Sequence, residues 1–268
     1  MKKNLGAFYD ETSDFQQAQF NYLAKLIVET LPAEKIKTLL DVGAGTGART
    51  QQCFELFPNL QHVTALEPDP DMYQQALDHH DDPRIQYLKK SASHLGQMDT
   101  RKRHFNAILS HWVMHWIREK EKLFKDFERV LNEYKRSYLM FSTCESLPRI
   151  LQDVDTYIRI ELGISPMGDN PFYYYNRRQW ETLLSMNGWK IKALENFTVQ
   201  HEVEDSAVYL EHWFTASTAK FTYNRHLLEI DETAREDLIY FMEEKYGVDG
   251  KENALSFTED VIFVIAEK

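Results

Sequence analysis

Thr38-Leu-Leu-Asp-Val-Gly-Ala-Gly-Thr-Gly-Ala-Arg49 is the stretch on which the reading turns. Leu39, Leu40 and Val42 form an apolar run of the kind that a parallel strand buried on both faces requires. Gly43, Gly45 and Gly47 follow at alternate positions, and a helical pattern begins at Ala48. Strand, glycine turn and helix start together make a corner where a ligand can approach the main chain and free N–H groups line the turn. Glu67 stands twenty-four residues beyond Gly43, at the end of a second apolar run, His62-Val-Thr-Ala-Leu66. A carboxylate at that tip is placed to grip a ribose diol.

Outward from the corner the same rhythm repeats. Further strands are expected at Ile85–Leu88, Phe105–Ser110 and Ser137–Ser142. Helices are expected from Ala48 to Leu56, after Pro68-Asp-Pro-Asp-Met72, and from Glu119 to Leu131. Strand–helix repeated five times predicts an α/β fold with a doubly wound sheet. A helix ending at Pro32 precedes it, and Val261-Ile-Phe-Val-Ile-Ala266 supplies a last buried strand that completes seven, mostly parallel. The expectation is a single domain over 1–268, Rossmann-like, with an N-terminal lid helix (1–35) and a cofactor-binding core (36–143). A cap of helices with the sixth strand (144–259) and the final strand (260–268) complete it.

Composition narrows the partners. Hydrophobic content of 43% with 13% aromatics is ample for a core, and the formal charge is −11. That charge repels a phosphate backbone, so nucleic acid is not an expected partner. Cys53 and Cys144 stand far apart, which argues against a disulfide or a zinc site. No apolar run approaches the roughly 18–20 residues that span a bilayer, and Met1-Lys-Lys-Asn-Leu-Gly6 lacks the apolar core of a signal peptide. A soluble, cytoplasmic protein without membrane association is expected.

Gly43 to Ala48 formally satisfies the dinucleotide pattern G-x-G-x-x-G/A, so an NAD or FAD oxidoreductase is one reading. Asp41-Val-Gly-Ala-Gly-Thr-Gly47, with Asp41 two residues before the first glycine and Glu67 in register, resembles the first motif of class I S-adenosylmethionine (SAM)-dependent methyltransferases. The resemblance implies that the loop of Gly43, Ala44, Gly45 and Gly47 receives the amino-acid end of SAM, with Asp41 near the methionyl amine. It implies Glu67 on the ribose and Pro68 or Met72 against the adenine. Where many relatives carry an adenine-binding aspartate after the third strand, this chain has Ser91-Ala-Ser93. A Ser91 hydroxyl or the backbone of Ala92 would then substitute. Ser110 and His111 leave the fourth strand beside the cofactor.

The acceptor side forks. Tyr9-Asp-Glu-Thr-Ser-Asp-Phe-Gln16 and Met140-Phe-Ser-Thr-Cys-Glu-Ser-Leu-Pro148 resemble malonyl-carrier-protein carboxyl methyltransferases of biotin synthesis. Met114-His-Trp116 is similar to the trans-aconitate and juvenile-hormone-acid methyltransferases, which esterify carboxylates. Trp213-Phe-Thr-Ala-Ser-Thr-Ala-Lys-Phe221 and Leu255-Ser-Phe-Thr-Glu-Asp-Val-Ile-Phe-Val-Ile265 are instead similar to histamine N-methyltransferase. There Asp14 matches an amine-holding glutamate, and Glu259 replaces a substrate-contacting asparagine. Tyr9, Asp14 and Gln16 on the opening segment, Trp112, His115 and Trp116 after the fourth strand, and Glu259 are the candidate acceptor residues.

Two carboxylates in one pocket would hold a cationic amine and repel a carboxylate. A carboxylate acceptor, with a carrier protein as partner in the malonyl case, would call for a cation such as Arg149, Arg177 or Arg178. The preferred expectation is therefore methyl transfer from SAM, leaving S-adenosylhomocysteine, to a small amine or heterocyclic nitrogen by direct displacement. A base such as His115, or a carboxylate acting through water, would help an amine acceptor. A non-catalytic SAM-binding protein is the other class. His111 and His115 are four apart, as on one helix face, yet no third ligand accompanies them and no metal is expected.

Overall fold

Leu39, Leu40 and Val42 are all buried in β1 (Thr38–Val42). Burying such a side chain contributes roughly 1.5–3 kcal/mol, so packing on both faces holds this strand. The computed structural model describes residues 14–98, 105–132, 136–164, 172–220 and 230–268. It places β1 inside a seven-stranded sheet with β2 (His62–Leu66), β3 (Ile85–Leu88), β4 (Ala107–His111), β5 (Tyr138–Cys144), β6 (Lys190–Val203) and β7 (Leu255–Glu267). The order across the sheet is β3-β2-β1-β4-β5-β7-β6. The chain builds away from β1 in one direction, returns to β4, and builds the other way. Ligands of open α/β sheets bind at the C-terminal ends of the strands flanking such a reversal.

Strands β1 to β5 pair in parallel. Ser137 and Lys268 exchange both backbone N–H···O bonds, at 2.9 and 2.8 Å. That mutual exchange belongs to antiparallel neighbours, so β7 runs against β5. Side chains link β6 to β7 at Lys192–Glu267, Thr198–Asp260 and Gln200–Ser256, with numbers rising on one strand as they fall on the other. The sheet is thus mostly parallel with a reversed strand near one edge.

Eight described helices accompany the strands: α1 (Asp14–Thr30), α2 (Ala48–Leu56), α3 (Pro70–His79), α4 (Lys120–Val130), α5 (Arg149–Ile160), α6 (Arg177–Met186), α7 (Ser206–Lys220) and α8 (Glu232–Tyr246). The acids and prolines that announced α3 act as the sequence implies. Asp69 accepts from the N–H groups of Asp71 and Met72, both at 3.0 Å, and Pro70 takes the first turn. Leu123, Phe124, Phe127 and Val130 of α4 join Leu40, Ile108, Phe141 and Trp180 in one core.

Two compact units result. The first comprises Met1–Glu145, Phe172–Asn196 and Ile262–Lys268; the second comprises Ser146–Pro171 and Phe197–Val261. The stretch 144–259, read from sequence as one cap, is therefore shared, with α6 and the first half of β6 in the sheet-bearing unit. The second unit has its own core, including Ile150, Val154 and Ile158 of α5, Leu210 and Phe214 of α7, and Leu238 and Met242 of α8. Among the described residues no helix is long and apolar enough to cross a membrane.

Candidate active site

The glycine loop is pinned at its start. Gly43 and Ala44 both donate backbone N–H groups to the Leu66 carbonyl, at 2.8 and 2.9 Å. Gly43 has φ +81°, and a Cβ there would overlap Val113 Cγ2, so glycine alone fits. Gly45, at φ +59°, has nothing within 4 Å of where its Cβ would be, which leaves its backbone open to a ligand. Gly47 donates to the Ala44 carbonyl at 3.0 Å and caps α2.

Glu67 closes the loop from the neighbouring strand. Its Oε2 accepts from Gly45 N at 2.8 Å and its Oε1 from Asp69 N at 2.9 Å. A carboxylate has about four lone-pair sites, so these bonds leave capacity for a ribose hydroxyl. Asp41 is buried and accepts from Thr50 Oγ1 at 2.6 Å. Burial pushes its carboxyl up to about 7; the Thr50 bond opposes that rise and the Glu67 charge adds to it. Two buried acids beside an open glycine backbone suit a cationic ligand.

Leu39, Leu40 and Asp41 stand opposite Ala107, Ile108 and Leu109. Ser110 Oγ donates to the Val42 carbonyl at 3.0 Å, tying the two strand ends together. His111 Nε2 donates to the Gln16 carbonyl at 3.0 Å, and its Nδ1 accepts from Ser142 Oγ at 2.6 Å. Burial pushes His111 down to about 3; the Arg49 charge adds to the fall and the Gln16 carbonyl opposes it. His111 is thus a neutral clasp joining α1, β4 and β5. The next residue, Trp112, has φ 59°. A bulky side chain in that left-handed region marks local strain, which collects at ligand sites.

His115 lies in a 3₁₀ turn, Met114–Trp116, while His111 ends β4. The single helix face suggested by their spacing does not form, because the chain turns sharply at Trp112. No described cluster of three His, Cys, Asp or Glu residues could hold a metal. His115 is buried, and rings surround it: Trp116 at 4.9 Å between centroids, Trp112 at 5.4 Å, Tyr174 at 6.2 Å and Phe172 at 6.4 Å. Its Nδ1 lies 3.3 Å from Thr143 Oγ1, whose own hydrogen points to the Cys144 carbonyl at 3.4 Å. Both contacts are long, and they place the imidazole edge against Thr143.

Phe172, Tyr174 and Thr143 were not assigned to the site from sequence. The aromatic run Phe172-Tyr-Tyr-Tyr175 was the available signal, but nothing local ties it to His115 fifty-seven residues away. The tie is tertiary. Tyr173 N donates to the His115 carbonyl at 2.7 Å, while Lys120 Nζ donates to the carbonyls of Ile117 (2.7 Å) and Tyr173. Lys120 is 1% exposed, sits 4.6 Å over the Tyr175 ring, and is pushed down to about 8 by burial.

The remaining candidates divide. Met72 is buried at the start of α3, and Pro68 is exposed. Ser91 precedes the 3₁₀ turn Ala92–Gln97, its hydroxyl bonded to Ser93 Oγ at 2.6 Å and His94 Nδ1 at 3.0 Å. Tyr9 and the side chain of Asp14 lie outside the described residues. Glu259 belongs to the second unit and lies within β7, and its Oε2 lies 3.2 Å from His201 Nε2. Arg177 pairs with Glu181 at 3.0 Å and Arg149 with Asp153 at 3.1 Å, whereas Arg178 is exposed.

The family model "Methyltransferase domain" matches residues 40–136, from the glycine corner through α4. This segment is a SAM-dependent methyltransferase domain. Its cofactor is SAM, and the corner described above fits that cation: open backbone at Gly45 beside the acids Asp41 and Glu67. Solved structures agree on the fold. A predicted methyltransferase of Bacillus halodurans C-125 is 18% identical over 92% of this chain and 99% of its own, with a TM-score of 0.57. A SAM-dependent methyltransferase of Mesorhizobium loti is 14% identical over 92% and 96%, with a TM-score of 0.51. A phosphoethanolamine N-methyltransferase of Haemonchus contortus, in complex with phosphomonomethylethanolamine and S-adenosylhomocysteine, is 17% identical over 98% and 60%, at 0.53. No curated protein matches the chain by sequence.

Proposed function

We propose that the methyltransferase acts on a nitrogen of a small amine or heterocycle, with His115 as the general base. The observation that carries this reading is the buried His115 imidazole, ringed by Trp112, Trp116, Phe172 and Tyr174 and 3.3 Å from Thr143 Oγ1. An amine must shed a proton to attack, and a base in reach is worth about 10²–10⁴ in rate. Electron-rich ring faces favour a cation, and both the sulfonium and a protonated amine are cations. The formal charge of −11 also supports a small cationic acceptor over a nucleic acid. The fold accommodates such chemistry in the H. contortus N-methyltransferase.

SAM supplies a methyl group on a positively charged sulfur that is already a good leaving group. The chain's part is alignment. Glu67 and the glycine loop would fix the adenosine end, His111 would keep the β4 tip in place, and the rings around His115 would exclude water. Alignment of this kind contributes up to roughly 7–11 kcal/mol in favourable systems. Carboxylate esterification of the malonyl-carrier, trans-aconitate or juvenile-hormone-acid type needs no base, and two of its three candidate arginines are paired with acids. The decisive experiment supplies labelled SAM with a pool of small amines and carboxylic acids and identifies the product by mass. A methylated amine whose formation falls at least tenfold in His115→Gln supports the reading. A methyl ester formed equally well by both proteins overturns it.

A further inference from the structure

Gln16 and Gln19 lie one turn apart on α1, at 9% and 2% exposure. Gln16 Oε1 and both polar atoms of Gln19 are shut off from solvent and make no hydrogen bond. Gln17 between them is satisfied, exchanging amide hydrogen bonds with Gln52 at 2.8 and 3.0 Å. A buried polar group without a partner costs about 1–3 kcal/mol, so three on one turn point to something that answers them.

Their neighbours fix the place. The Gln16 carbonyl receives His111 Nε2, the Phe20 ring meets His111 edge-on at 5.4 Å, and α1 packs on β5. His111 follows Ser110, whose Oγ donates at 3.0 Å to the carbonyl of Val42, the residue before the glycine loop. The set offers two acceptors and one NH₂ donor. A simple amine leaves the donor unanswered, and a simple carboxylate leaves both acceptors so. An α-amino acid head answers all three, its ammonium donating to the oxygens and its carboxylate accepting from Gln19 Nε2.

We propose that Gln19, together with Gln16, binds the amino-acid head of SAM. The inference rests on SAM being the cofactor. It is tested by calorimetric binding of S-adenosylhomocysteine and of 5′-methylthioadenosine, which keeps the nucleoside and lacks the amino-acid head. Gln19→Leu, and separately Gln16→Leu, should bind S-adenosylhomocysteine at least tenfold more weakly and 5′-methylthioadenosine as wild type does. The ligand-free melting temperature should hold or rise, because orphaned polar atoms are gone. Should Gln19→Leu fail to fold, Gln19→Met, unbranched and of similar length, serves for the same comparison. Equal S-adenosylhomocysteine affinity in variant and wild type overturns the inference, and so does equal loss of both ligands, which marks a packing role. Wild-type protein that binds neither ligand overturns the cofactor assignment, and this inference with it.

Discussion

Gly45 donates its backbone N–H to Glu67 Oε2 at 2.8 Å, so the acid that ends β2 also shapes the loop that follows β1. Because Oε1 holds Asp69 N at 2.9 Å, both oxygens of Glu67 already hold backbone. Glu67→Gln keeps the size but turns one of those oxygens into an NH₂ facing an N–H. Binding of S-adenosylhomocysteine should weaken at least tenfold, with a fall of a few degrees in melting temperature, since loop and ligand share the residue. Calorimetry beside a thermal melt checks both; unchanged affinity would take Glu67 out of the site.

Gly43→Ala and Gly45→Ala should fail differently. At Gly43 the new methyl runs into Val113, so the thermal midpoint drops whether or not ligand is present. At Gly45 there is room, and the left-handed backbone costs only about 1–2 kcal/mol. Its methyl instead occupies the space a ligand needs, so S-adenosylhomocysteine affinity should drop more than stability does. Comparing melts with and without ligand separates the two.

Asp41 should make SAM binding pH-dependent. With its carboxyl pushed up to about 7, it is protonated on the acid side and ionised on the alkaline side. A cation prefers the ionised form, so SAM affinity should rise from about pH 6 to about pH 8. S-adenosylhomocysteine, without the sulfonium charge, should respond less, and Asp41→Asn should flatten the SAM profile. The raised pKa also means that the carboxyl favours the fold below its unfolded value near 3.8, and that this contribution is lost as pH climbs through about 7. Asp41→Asn should therefore stabilise the ligand-free protein more at about pH 8 than at about pH 4.

His111 carries the opposite sign. Pushed down to about 3 from 6.5, it contributes stability that is present above about 6.5 and lost as pH falls toward 3. His111→Gln should lose less melting temperature than wild type between about pH 6.5 and pH 4, although it starts lower because the clasp to Gln16 and Ser142 is weakened. A pH series of thermal melts reads this directly.

Lys120→Met should loosen the wall around His115. The ammonium bridges the Ile117 and Tyr173 carbonyls, and Tyr173 in turn donates to His115. Without it, turnover should fall about tenfold with S-adenosylhomocysteine affinity intact, since misplacement at the acceptor side alone is enough for such a loss. Lys120→Arg should restore little, because a planar fork replaces a compact donor.

The corner was legible in the chain because every part of it is local. Strand, glycine turn and capped helix lie within Thr38–Leu56, and the acid after β2 follows by simple spacing. The helix Ala48–Leu56 forms with the bounds its pattern implied, as short-range periodicity and turn chemistry allow. His111 and His115 fail to share a helix face for a reason that is equally local: Trp112 adopts a left-handed backbone that no helix would tolerate.

The sequence by itself determined the strand–helix rhythm, the glycine corner and Glu67, since each depends on neighbours a few residues apart. Tertiary structure alone decided the rest. It brought Phe172 and Tyr174 to His115, gave Lys120 its two carbonyls, split the expected cap between two units, and buried the Gln16 and Gln19 amides. Those outcomes depend on which distant backbone groups meet across a sheet and on which polar atoms lose water there, and no local pattern of residues encodes that.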